Sequence, residues 1–111
     1  MAIAVFVQDG RAIDYTPSAD VAAGDVVVQG DLVGVARSPI PANTPGSLAT
    51  TGIFGFPKAT GTSSGIAAGT KVYWDATNKV VTATVGSNKF LGKTTKAAAD
   101  ADATVQVRLS Q

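Results

Sequence analysis

The chain has 111 residues, nine Lys and Arg against eight acidic residues, and a formal net charge of +1, with neither Cys nor His. The two absences exclude a disulfide framework, a thiol nucleophile, Cys-based metal sites and the usual general base near neutral pH, and with them most enzyme chemistries. Every acid is Asp and the charges are spaced singly, so no basic cluster offers itself to nucleic acid or to an anionic membrane.

This length suits one domain over residues 1–111, burying roughly two-thirds of its unfolded surface, enough for a modest core whose stability leans on assembly. The preference for Asp over Glu fits a chain of turns and argues against long helices. The apolar opening MAIAVFVQDG lacks a preceding basic residue and is short, so it is read as neither a signal peptide nor a membrane span.

In chain order, Ala2–Gln8 carries Ile3, Val5 and Val7 on one face and Ala4 and Phe6 on the other, which implies a strand buried on both sides. Asp9 and Gly10 signal a turn into a second short strand, Ala12–Tyr15. Val26–Val28 follows Gly24 and Asp25, and Gly30 with Asp31 turns the chain into Leu32–Ala36. Pro39, Pro41, Pro45 and Gly46 bracket an irregular surface loop. Ser47–Thr51 and Ile53–Phe56 read as strands separated by Gly52, with Phe54 and Phe56 on one face and Pro57 closing the second. From Lys58 to Gly69 the chain is Ala, Thr, Gly and Ser with little to bury, which predicts a mobile or partner-ordered loop.

The strongest local signal is Ile66–Thr84. Val72–Trp74 and Val80–Thr82 favour a pleated surface, and Asp75–Asn78 is a turn cluster between them, so the stretch predicts a β-hairpin. Its opening step, Ile66-Ala-Ala-Gly69, resembles the earlier Val21-Ala-Ala-Gly24: one glycine turn that launches a strand is used twice. Gly86–Asn88 makes another turn, Phe90–Thr95 another strand, and Ala97–Ala103 a connection with room for one helical turn. Thr104–Leu109 alternates Val105, Val107 and Leu109 with Gln106 and Arg108, a half-buried strand. Many short strands between Gly and Pro turns predict an all-β fold, a small barrel or sandwich of antiparallel strands.

Three patterns suggest chemistry and fail on context. Gly61–Gly65 matches a nucleophile elbow, but no helix pattern follows and no His exists; a Ser-Lys pair of Ser63 with Lys58 or Lys71 is the residual enzyme reading. Gly92-Lys93-Thr94 resembles the end of a phosphate loop, but Ser87 stands where the leading glycine belongs and the segment reads as strand. Asp100 and Asp102 are too few for a hard cation and sit in an Ala-rich turn. Neither a catalytic residue, a cofactor, a metal nor a small-molecule substrate is indicated. The informative excess is apolar strand surface: Ile3–Val7 and Val26–Val28 are apolar on both faces, and either a second layer or a neighbouring subunit must cover them. Tyr73, opposite in direction to Val72 and Trp74, is a candidate interface residue.

Four segments in order, Phe6–Ala36, Gly52–Ala59, Ile66–Asn78 and Leu91–Leu109, together resemble small phage capsid cement or head-decoration proteins, with a loop at Pro39–Pro45 richer in proline than that pattern. The resemblance implies a β-clip-like or barrel-like fold, a trimer, and a place on the outside of a phage head in contact with the major capsid protein, assembled in the host cytoplasm. Its candidate interface residues, toward capsid or subunit, are Ile3, Val5, Phe6, Val7 and Tyr73. The terminal segment Ala2–Gln8 has the form of a strand that adds to an exposed edge of the capsid protein; an internal strand of the barrel is the alternative reading. A virion-displayed module binding host surfaces or glycans through Lys58–Gly69 is the other functional reading.

Overall fold

A computed structural model describes residues 3–8 and 10–111. Met1, Ala2 and Asp9, and with them the first residue of the expected Ala2–Gln8 strand and half of the expected Asp9–Gly10 turn, lie outside the described residues. The fold is all-β, built as two antiparallel sheets of short strands.

The first sheet holds β1 (Ala12–Tyr15), β2 (Val26–Gln29), β3 (Leu32–Ala36) and β4 (Gly46–Ala49) in the order β1-β4-β3-β2. The second holds β5 (Thr51–Pro57), β6 (Lys71–Asp75), β7 (Val80–Thr82), β8 (Lys89–Thr94) and β9 (Thr104–Ser110) in the order β5-β9-β8-β6-β7. The chain crosses between sheets at Thr50, two positions earlier than the break expected at Gly52. Its amide donates to Arg11 O at 2.9 Å and its hydroxyl to Gly10 O, on the side of the first sheet, while its carbonyl accepts from Gln111 N at 3.4 Å beyond β9. Gly52 does not divide strands; β5 runs through it and through Pro57, paired residue for residue with β9.

Apart from β7, the two sheets have one topology. The strand sequence β1, β2, β3, β4 is laid out as β1-β4-β3-β2, and β5, β6, β8, β9 as β5-β9-β8-β6. The hydrogen bonds repeat with it. Val21 and Ile40 exchange both backbone bonds at 2.9 and 2.8 Å, as Ile66 and Ala98 do at 2.8 Å. Gly24 N–H donates to Ala36 O and Gly69 N–H to Thr94 O; Ala36 N–H donates to Asp25 O and Thr94 N–H to Thr70 O. Gly24 and Gly69 sit at φ +90° and +77°, which an L side chain rarely adopts, and this is why the launching step ends on glycine both times. The strand β7 is what the second unit adds.

The β6–β7 hairpin is the one expected from Ile66–Thr84. Asp75 turns it: its carboxylate accepts from Thr77 N (3.0 Å), Asn78 N (3.1 Å) and Asn78 Nδ2 (2.9 Å), which holds the Asp75 carboxyl below the usual carboxylate range, the Asn78 backbone bond contributing most. The larger core joins both sheets: Val33 and Val35 of β3 pack with Phe56, Ile66, Val72, Trp74, Val81, Leu91, Ala98, Val105, Val107 and Leu109. Phe56 and Trp74 meet at 6.1 Å between ring centroids. A smaller cluster of Ala36, Ile40 and Leu48 lies under Ile13, Tyr15, Val21 and Val27. The half-buried pattern of β9 is as expected, with Val105, Val107 and Leu109 buried and Gln106 and Arg108 exposed. Ala97–Ala103 is not helical; Ala98 is committed to the Ile66 bridge and Asp102 N–H closes a turn onto Ala99 O.

Two polar links fasten the sheets together. Gln111 reaches across, its Oε1 accepting from Val33 N at 2.9 Å and its Nε2 donating to Phe90 O and Leu91 O, each at 2.9 Å. Lys89 donates to Asp31 at 2.7 Å, and this hydrogen-bonded, opposite charge lowers the Asp31 pKa.

Candidate docking surfaces

Ile3–Gln8 forms neither a strand nor part of the core, contrary to the expectation of burial on both sides. Ile3, Val5, Phe6 and Val7 are each at least 80 % exposed. Among the described residues, its one hydrogen bond to the rest of the fold is from Gln8 Nε2 to Ala12 O at 3.4 Å. Laid beside β1 as a hairpin, a segment apolar on both faces would still turn one of them to water, so pairing alone does not bury it. Four large apolar side chains in one exposed run exceed the scattered apolar residues of an ordinary surface. Tyr73 lies apart from them, half-buried on β6 with its ring against Phe90 at 5.9 Å. The five candidate interface residues therefore form one continuous arm and one separate position.

The second feature is the edge of β2. In the first sheet β1 and β2 are the outer strands. Beside β2 an open groove of ≈ 520 Å³ runs between Val26–Val28 and the β6–β7 hairpin, with Pro57, Trp74, Ala76 and Lys79 on its far side. Val28, at this edge, is exposed. Ile53 on β5 and Val85 in the β7–β8 loop are further exposed apolar positions that sequence reasoning did not single out. For Ile53 the signal was present: alternation that places Phe54 and Phe56 inward places Ile53 outward.

The stretch Lys58–Gly69 is not the loose loop its composition suggests. Lys58 is buried, and its ammonium donates to Ala59 O at 2.7 Å and Ser64 O at 3.0 Å, with Ser64 Oγ at 3.4 Å. From the other side the Asp100 carboxylate accepts from Gly65 N at 2.6 Å and Ser63 N at 3.2 Å. Lys58 is bridged to Val81 of β7 and Gly69 N–H donates to Thr94 O of β8, so both ends are anchored in the second sheet, while Ile66 is bridged to Ala98 in the β8–β9 connection. These bonds also settle the chemical patterns. Lys58 bonds Ser64 and the backbone, so no Lys58–Ser63 pair forms. Asp102 accepts from Ala99 N at 2.8 Å, so both acids of the Ala-rich turn serve backbone donors. Gly92–Thr94 lies within β8, with no helix after it to face a phosphate. Among the described residues no group of three or more acids gathers in metal-binding range.

What the geometry offers is surface: an exposed apolar arm, an uncovered strand edge with a groove beside it, and rigid loops held by internal hydrogen bonds. Comparison with families of known proteins agrees with that character. Residues 7–109 match the sequence model of a family described as phage cement protein. No curated protein and no solved structure matches the chain. The chain thus belongs to the phage cement protein family, a structural component of the virion rather than an enzyme.

Proposed function

We propose that the protein decorates the outside of a phage head and stabilises the shell by bridging neighbouring copies of the major capsid protein, working as a trimer assembled in the host cytoplasm. Family membership supports the cement role. The observation that supports an assembling structural role is the run Ile3, Val5, Phe6, Val7, an apolar surface too large and too exposed to be incidental, on a fold whose buried side-chain polar atoms, among the described residues, all have hydrogen-bond partners. With Tyr73 these residues are the interface candidates. Three copies around an axis engage several capsid subunits at once, so each contact is strengthened by effective concentration and need not be tight alone. The absence of a strong charge fits a surface recognised by shape and apolar contact.

Co-sedimentation with purified heads that lack the protein tests this. The expected result is saturable binding at a fixed ratio to the shell, with decorated heads surviving heat that bursts bare ones. Binding that never saturates, or decorated heads no more heat-resistant than bare ones, refutes it.

A further inference from the structure

The duplicated topology shows what the first sheet lacks. In the second unit the outer edge of β6 is covered by β7, paired Tyr73 with Thr82, Trp74 with Val81 and Asp75 with Val80. The corresponding strand of the first unit is β2, and no strand among the described residues lies on its outer side. We propose that Ile3–Gln8 of one copy adds as a strand to this edge in a neighbouring copy, supplying in trans what β7 supplies in cis. The inference deepens the reading of the protein as an oligomer and rests on it.

Both halves of the contact are visible on one chain. The arm is uncharged, proline-free and rich in β-favouring residues. Extended, its six residues span roughly 20 Å, enough to run the length of β2. The groove beside β2 is lined by Val26, Val28, Pro57 and Trp74, with Asp25 and Lys79 also on it, so an arm that pairs with the edge meets apolar surface along much of its length. Its own β2 is not where the arm is led. The arm enters β1, which lies at the opposite edge of the sheet, three strand spacings or about 14 Å away, and it would have to cross the faces of β4 and β3 to return. A donor at one edge and an acceptor at the other is a heterologous contact, and such contacts close into rings when the rotation permits, which is how a trimer forms.

The cysteine-free chain allows a direct test. Val28→Cys is combined in turn with Val5→Cys, Phe6→Cys and Val7→Cys, all exposed positions, and each protein is oxidised both free and on heads. At least one pairing is expected to give disulfide-linked multimers on a non-reducing gel while each single variant does not exceed a dimer. Deletion of residues 1–8, or Val28→Lys, which charges the edge, is expected to reduce the solution mass of the oligomer to that of the monomer. Multimers absent in all three pairings, free and on heads, or an oligomer that survives loss of the arm, overturn the inference. If deletion abolishes head binding while no pairing cross-links, the arm belongs to the capsid protein and the cement reading stands without this contact. If cross-linked rings form and ignore heads, arm exchange stands and the cement reading falls.

Discussion

Gly92 is the position where the sheet tolerates no side chain. It lies buried in β8, paired with Val72 of β6 on one side and Leu109 of β9 on the other. A Cβ built there stands 1.9 Å from the carbonyl oxygen of Arg108 and 2.9 Å from its carbon, where real Cβ contacts essentially never fall below 3.0 Å. The obstacle is backbone, so no rotamer relieves it. Next to Gly92 the pairing with β6 skips Leu91, Tyr73 facing Phe90 and Val72 facing Gly92, and this bulge belongs with the close approach. For Gly92→Ala, β9 must retreat by about 1 Å, which stretches neighbouring ladder bonds from about 2.9 Å to beyond hydrogen-bond range. Overpacking of this kind costs about 1–3 kcal/mol and each weakened bond about 1 kcal/mol more, so the expected loss is about 3 kcal/mol or more. Against a total of about 5–15 kcal/mol this is severe, and it lowers Tm by roughly 10–20 °C. Urea and thermal unfolding of Gly92→Ala beside Gly55→Ala measure it, because Gly55 lies in β5 with nothing within 4 Å of its Cβ position and should shift by no more than about 0.5 kcal/mol. If the two variants unfold alike, the close β8–β9 approach is refuted.

Gln111→Ala removes three hydrogen bonds that join β3 to β8 and leaves the Val33 amide without that acceptor; urea unfolding should show a loss of about 1–3 kcal/mol. Asp100→Ala releases the amides of Ser63 and Gly65, so hydrogen exchange and protease cleavage should rise within 61–65 while β6 and β8 stay protected. Asp31 and Asp75 have pKa values below the ordinary 3.8, so their stabilisation is complete above about pH 4 and is lost as pH falls through the lowered values. The Tm of the protein should therefore drop on acidification below pH 4, and Asp75→Asn should flatten that drop while leaving the difference in Tm between pH 7 and pH 5 unchanged.

The parts of the fold that the sequence foretold are those in which local pattern and burial agree. Asp75–Asn78 between two runs of β-favouring residues is a hairpin because Asp75 bonds the turn that follows it, an interaction local in sequence. Thr104–Leu109 alternates because one face meets the core and the other meets water. The doubled Val/Ile-Ala-Ala-Gly step was legible as a repeat, but its extent was not, because the corresponding bridges reach Ile40 in one unit and Ala98 in the other across connections of different length. Lys58–Gly69 misled because composition records the absence of apolar anchors and not the presence of a buried ammonium and a carboxylate that bind backbone groups up to 37 residues away. Ile3–Val7 misled for a deeper reason. A segment covered by its own chain and one destined for a partner bear the same apolar pattern, and only the fold shows which cover is missing.

That ambiguity bears on why the edge of β2 matters. Exposed strand edges invite pairing with other chains, and proteins guard them with lysine, proline, a bulge or a covering element. In the second sheet the edge of β6 is covered by β7, and the Lys58–Val81 bridge ties the end of β5 back to β7. The edge at β2 reads Val-Val-Val-Gln and has none of these devices. An unguarded edge alone is an aggregation hazard, and an exposed apolar arm alone is another. In the proposed exchange the two complement each other, and each removes the hazard of its counterpart. The duplication supplies the geometry for this, since it repeats an edge already adapted to accept a short strand and leaves out the strand. Under the proposed arm exchange, a chain of 111 residues with a modest core gains buried apolar surface through its neighbours, and its stability becomes coupled to assembly. In a structural component of a virion, such coupling favours the assembled form over the free chain, since each added copy supplies the cover that its neighbour lacks.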